Sequence, residues 1–110
     1  MLEGFAPFPD DFAQRYREKG YWEDITLANT FSEACRKYAK RVAVCDAETE
    51  VTYAESDERA AKLALNFLDA GLSSGDHVVL QLGHAVGPVY TYFAFPKIGA
   101  HPILSLPTPP

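Results

Sequence analysis

Val51-Thr52-Tyr53-Ala54-Glu55 opens the stretch that decides the fold, a helix running from there to Gly71. Thr52 and Glu55 have capping-box spacing. The threonine oxygen can accept from the Glu55 backbone N–H, and the Glu55 carboxylate can reach back to the Thr52 N–H. Behind them Ala60, Leu63, Ala64, Phe67 and Leu68 recur at helical intervals and form one apolar stripe. Glu58 and Lys62 stand four apart on the other face, acid first, the favourable order. Gly71 supplies a left-handed stop. Strand-like runs flank this helix on both sides, so it reads as the central helix of an α/β layer.

On the N-terminal side, Asp10 or Asp11 can cap a short helix from Phe12 to Lys19, closed by Gly20, with Phe12 and Tyr16 on one face. Thr26 can cap a second helix whose apolar positions are Leu27, Phe31, Ala34 and Tyr38. Arg36, Lys37 and Lys40 crowd its last turn, where the helix dipole favours cations. Val42-Ala43-Val44-Cys45-Asp46 reads as a buried strand, and Ala47-Glu48-Thr49-Glu50 turns it back into Val51-Thr52-Tyr53 as a hairpin.

On the C-terminal side, His77 to Leu82 reads as a strand. A helix can start at Pro88, and Pro96 predicts a kink or an early end. Ile103 to Leu106 is the last strand, followed by Pro107-Thr108-Pro109-Pro110. Strand, helix, strand over residues 77 to 106 is the pattern of a parallel βαβ unit. The order is helix, helix, strand, strand, helix, strand, helix, strand with a partly parallel sheet. A strand of interior character running into the proline-rich end predicts an incomplete sheet, with apolar surface open around Tyr92, Phe93, Phe95, Ile103 and Leu104.

The 110 residues suffice for one small domain, and 47% hydrophobic against 23% charged residues is ordinary for a chain that buries a core. A net charge of −5 opposes binding to nucleic acid and to anionic membranes. The longest apolar run, Val86 to Phe95, is broken by Gly87 and Pro88 and is far shorter than the roughly 20 residues of a membrane span. Met1-Leu2-Glu3-Gly4-Phe5 lacks the basic and apolar regions of a signal peptide, so a cytoplasmic protein is expected.

Candidate functional residues are few. His84 follows a strand, where parallel sheets place ligands, but it has no partner at metal or triad spacing and reads as structural or exposed. His77 and His101 read as turn residues beside strands. Asp46, Glu48 and Glu50 could approach a cation, yet a solvated hairpin turn fits better because a calcium loop needs more oxygen ligands and a glycine. Cys35 and Cys45 have no basic neighbour in sequence to lower a thiol pKa and read as small packed hydrophobes. Tyr90, Tyr92, Phe93 and Phe95 could line an acyl pocket, with packing against the sheet the better reading.

Five segments in order carry a family resemblance. They are Lys19-Gly20-Tyr21-Trp22, Arg41 to Val44, Val51 to Glu55, Gly75 to Leu82 and Gly99-Ala100-His101-Pro102. Together they resemble the N-terminal segment of the adenylate-forming enzymes, the superfamily of acyl-CoA synthetases, peptide-synthetase adenylation domains and luciferases. Phe5-Ala6-Pro7-Phe8-Pro9-Asp10, Gly20-Tyr21-Trp22 and Leu104-Ser105-Leu106-Pro107 look most like aryl-acid AMP ligases, the 2,3-dihydroxybenzoate or salicylate activators of siderophore assembly. The resemblance covers nearly all of residues 1–110 as the first part of the large AMP-binding domain, with no second domain.

The resemblance implies a two-step ligase using ATP and Mg²⁺. An aryl-adenylate forms with release of pyrophosphate, and the acyl group then passes to the thiol of an aryl carrier protein. The family's phosphate loop, acidic metal ligand, ribose aspartate and catalytic lysine lie beyond the part this chain resembles. No catalytic, cofactor-binding or metal residue is therefore assigned here, and this segment is expected to be scaffold, inactive alone. A stand-alone α/β interaction module, or one piece of a split ligase paired with its remainder, are the alternative readings.

Overall fold

The computed structural model describes residues 3–106, so the expectations attached to Met1-Leu2 and to Pro107–Pro110 lie outside the described residues. Eight elements follow in the expected order. They are α1 (Asp10–Glu18), α2 (Leu27–Lys37), β1 (Val42–Cys45), β2 (Glu50–Thr52), α3 (Tyr53–Asp69), β3 (His77–Leu80), α4 (Val86–Lys97) and β4 (His101–Leu104). β1 and β2 form an antiparallel hairpin, and β3 and β4 a parallel pair.

The capping box is complete. The Glu55 N–H donates to Thr52 Oγ1 at 3.2 Å, and the Thr52 N–H donates to Glu55 Oε2 at 2.8 Å. These donors, the Thr52 N–H first and then its hydroxyl, hold the Glu55 carboxyl below its ordinary pKa. At the other end the Leu72 N–H reaches the Phe67 carbonyl and the Gly71 N–H reaches Leu68, with Gly71 at φ 100°. That is a Schellman stop. Gly20 and Gly99 close α1 and α4 with the same pair of bonds. On the α3 surface Lys62 meets Glu58 at 2.7 Å as its spacing predicts.

Packing centres on α3 against α4. Ala60, Ala64 and Ala94 are buried at their contact, with Phe31, Leu63, Phe67, Tyr90, Phe93 and Ile98 around them. Two aromatic pairs stack nearly flat there: Phe31 on Phe93 at 4.1 Å, and Phe67 on Phe95 at 4.5 Å. α2 lies against both helices. Its Thr26 cap is made as expected, accepting from the Asn29 N–H at 3.2 Å. A second cluster of Leu80, Phe95 and Ala100 joins α4 to the parallel strands.

Several expectations are corrected. α1 starts at Asp10 after Pro9 and has no side-chain cap. Asp10 and Asp11 lie inside its first turn, where the dipole still favours them. β1 is not buried: Val42 and Cys45 are exposed, because β1 pairs only with β2 and one face of that ribbon meets the helices. Leu68 ends the α3 stripe but is exposed, on the edge of an open hollow beside Lys97 and Ile98. Phe95 is 3% exposed and belongs to the core rather than to the open surface. β4 begins at His101 instead of Ile103, since the His101 N–H already bonds to the Asp76 carbonyl. α4 starts two residues before Pro88, carries Pro96 in its last turn and stops at Lys97, so the early end is realised one residue late.

Between α2, α3, β1 and α4 lies a recess of about 300 Å³ lined by Phe31, Tyr53, Ser56, Tyr90 and Phe93 among others. Ser56 is 2% exposed, and its hydroxyl has no hydrogen-bond partner among the described residues. A buried hydroxyl without a partner costs about 1–3 kcal/mol. Ser56→Ala should therefore stabilise the chain by about 1–2 kcal/mol in urea denaturation, with a further small gain from helix propensity. A lower urea midpoint would show that the hydroxyl is satisfied in solution.

Thr52→Ala should cost about 0.5–2 kcal/mol, the usual loss for removing an N-cap. The cap also sets a pH dependence. Because the Glu55 carboxyl is lowered on folding, its contribution is complete above the ordinary glutamate pKa of about 4.3. That contribution drains away as pH falls through the lowered value. Comparing urea midpoints at pH 6 and pH 3 should show a smaller acid loss in Glu55→Gln than in the parent, and an equal loss would refute the linkage.

Candidate functional site

In a parallel α/β unit, ligands gather beyond the carboxyl ends of the strands. Here that region runs from Leu80 through Gly83-His84 to the N-terminus of α4 at Val86. Ala85, the N-cap, has no side-chain acceptor to offer the freed helix donors. The acceptor comes from the hairpin turn forty residues earlier. Asp46 Oδ2 takes the Val86 N–H at 3.3 Å, and its Oδ1 takes the N–H groups of Glu48 at 3.0 Å and Thr49 at 2.8 Å. The Glu48 N–H first, then those of Val86 and Thr49, hold the Asp46 carboxyl below its ordinary pKa.

Asp46, Glu48 and Glu50 form a hairpin turn stapled to a helix end rather than a cation loop. Among the described residues no group of three or more His, Cys, Asp or Glu side chains could hold a metal ion. A nucleotide fares no better at this end. The helix N-terminus that would cradle a phosphate already holds a carboxylate, and a second anion there would meet like charge. The α4 N-terminus is therefore not a ready phosphate cradle, and no step through ATP or Mg²⁺ is assigned to it.

His84 lies exposed in the loop before α4. His77 and His101 are the first residues of β3 and β4, inside the strands and not in turns, and they stand opposite one another in register. Cys35 is buried on α2, with its thiol pKa raised by burial first and by Asp57 second, against the opposing effect of Lys97. A thiol held protonated in this way is a packing group. Cys45 is exposed, contrary to the packed role expected of it.

The aromatic run divides by side. Tyr90 and Phe93 face the recess that holds Ser56, and Arg59 lies 5.5 Å from the Tyr90 ring. Tyr92 and Phe93 line an outer groove of about 320 Å³ with Pro88, Val89 and Leu104. Sequence reasoning missed the most connected charge. Lys97 Nζ pairs with Asp57 at 2.6 Å, approaches Ser32 Oγ at 3.5 Å and lies 5.6 Å from the Phe31 ring. Its side chain is 18% exposed, and it ties α2, α3 and α4 together. No sequence periodicity links these positions, so only the fold reveals the pair. Among the described residues no helix is long and apolar enough to cross a membrane.

Comparison with known proteins accounts for an arrangement so rich in structural contacts. The family model described as "AMP-binding enzyme" matches residues 31–109. The chain is 36% identical over 108 residues to the 2,3-dihydroxybenzoate-AMP ligase of Bacillus subtilis (strain 168), covering 98% of this chain and 20% of that protein. It is 40% identical over 111 residues to the salicyl-AMP ligase / salicyl-S-ArCP synthetase of Mycobacterium tuberculosis, covering 96% of this chain and 20% of that one. The apo structure of MbtA from Mycobacterium smegmatis superposes with a TM-score of 0.90 at 37% identity, covering 96% of this chain and 20% of that chain. The chain thus spans about a fifth of the length of the relatives it matches. The capped central helix, the hairpin before it and the parallel pair after it recur in the MbtA structure, and this chain belongs to the AMP-binding enzyme family.

Proposed function

We propose that this chain is the opening scaffold of an ATP-dependent aryl-acid–AMP ligase that activates 2,3-dihydroxybenzoate or salicylate for siderophore assembly. The observation that carries the reading is the end-to-end match to a salicyl-AMP ligase, 40% identical over 96% of this chain. The aryl acid, ATP and Mg²⁺ then belong to the remaining length of such an enzyme. Residues 1–110 form one N-terminal piece of the AMP-binding domain. A carrier-protein thiol is the acyl acceptor, in line with the salicyl-S-ArCP synthetase activity for which the mycobacterial relative is named.

Within that reading, Lys97–Asp57, the Asp46–Val86 staple and the Ala60–Ala94 contact set the shape of the helix layer. None of them touches a reacting atom. Their role is to hold β3 and β4 at a fixed distance and angle for the strands and loops of the larger domain.

The test is a chimera in which this chain replaces the matching first fifth of the Bacillus subtilis 2,3-dihydroxybenzoate-AMP ligase. ATP–pyrophosphate exchange dependent on 2,3-dihydroxybenzoate should persist within about tenfold of the parent, a loss of no more than about 1.4 kcal/mol in transition-state stabilisation. The 110-residue chain alone should show no exchange above background. A folded chimera without exchange, or exchange by the chain alone, would overturn the scaffold reading. Adding the chain in trans to the truncated ligase separates a split enzyme from a covalent one: exchange restored by mixing would identify a complementing piece.

A further inference from the structure

The three histidines have no role in the reading above, and two of them meet in the fold. His77 opens β3 and His101 opens β4, twenty-four positions later, and the two are direct partners in the parallel register. Their ring centroids are 5.1 Å apart with planes inclined at 37°, and both residues are exposed. They sit at the amino ends of the strands, opposite the end where α/β ligands gather.

The backbone beneath them is fixed. The His101 N–H donates to the Asp76 carbonyl at 2.8 Å, and the Gly75 N–H donates to the Gly99 carbonyl at 2.9 Å. Gly99 holds φ 75° with Ser74 so close that a Cβ would stand 2.5 Å from its hydroxyl. Asp76, the nearest carboxylate in sequence, turns its Oδ2 back to the Ser73 N–H at 2.8 Å and to the Ser73 hydroxyl at 3.1 Å.

We propose that His77 and His101, brought into register by the parallel pair, chelate a divalent transition cation such as zinc, nickel or copper. The spacing fits. A cation about 2.0–2.1 Å from one nitrogen of each imidazole lies roughly 3.2 Å from each ring centroid. At the tetrahedral angle of zinc two such rings stand about 5.2 Å apart, close to the observed 5.1 Å, and at the right angle of a square copper or nickel site about 4.5 Å, within reach of a small side-chain rotation. Imidazole nitrogen selects these metals over magnesium or calcium, which take oxygen ligands. Two side-chain ligands leave the remaining positions to water, and the bridge ties β3 to β4 at their amino ends.

His84, exposed in the loop before α4 and outside this pair, is the internal control. Copper(II) titrated into the 110-residue chain by calorimetry should bind one per chain. The affinity should fall on the order of tenfold or more in His77→Gln and in His101→Gln, because chelation makes the second bond intramolecular. It should stay within twofold in His84→Gln. In the unmodified chain the copper electron paramagnetic resonance spectrum should show two coupled imidazole nitrogens, a readout that needs no variant to fold. A single coupled nitrogen, or equal losses in all three variants, would overturn the site. The aryl-ligase reading is untouched by either result, because its chimera is assayed for exchange.

Discussion

The contact on which the structure depends is the close approach of α3 and α4 at Ala60, Ala64 and Ala94. Three methyl side chains let the helix backbones come near enough for larger rings to flank the contact on both sides. Phe31 then stacks on Phe93 and fixes α2, and Phe67 stacks on Phe95 and fixes the parallel strands. Each stacked pair contributes about 0.5–1.5 kcal/mol beyond the area it buries. A larger residue at any of the three alanines would separate the helices and undo both stacks together. The half-buried Lys97–Asp57 pair sits beside the same contact. At that exposure its value is orientation: it fixes the rotation of three helices about one another more than it adds stability.

Much of this was legible in the sequence because helix ends announce themselves locally. Thr52 with Glu55, Thr26, Gly20 and Gly71 each solve a backbone hydrogen-bonding problem within a few residues, so their spacing is informative by itself. The structure returns each as a cap or a stop. Element order followed from these signals, and so did the parallel pair, since a helix between two apolar runs leaves little other topology. The family resemblance rested on the same punctuation and is upheld by the match over residues 31–109.

The rest was hidden because it depends on which faces meet. Val42-Ala43-Val44-Cys45 has the composition of an interior strand, but it lies in a two-stranded ribbon, and half of it faces outward. Leu68 keeps the helical period of the stripe but borders an open hollow, so period alone overstates burial. Asp46 could be read as a turn residue but not as the cap of a helix forty residues away, because Ala85 gives no hint that its acceptor comes from elsewhere. His77 and His101 are ordinary strand-edge residues until the register of β3 and β4 makes them neighbours.

The parallel pair also argues for the scaffold reading. Leu80 packs inward on α4 and Val78 is partly buried beneath it. On the opposite face Val79 and Ile103, which pair with each other, are 66% and 48% exposed. Apolar residues on both faces are the mark of parallel strands covered on both sides, whereas antiparallel strands with one wet face alternate polar and apolar residues. A chain selected to stand alone would gain from polar residues at these positions, which cost nothing to the inner face because the side-chain period is two. Their retention as valine and isoleucine fits a sheet whose outer face is packed in the working protein. That is the arrangement expected of a segment packed within a larger α/β domain, as the matching fifth of the MbtA chain is.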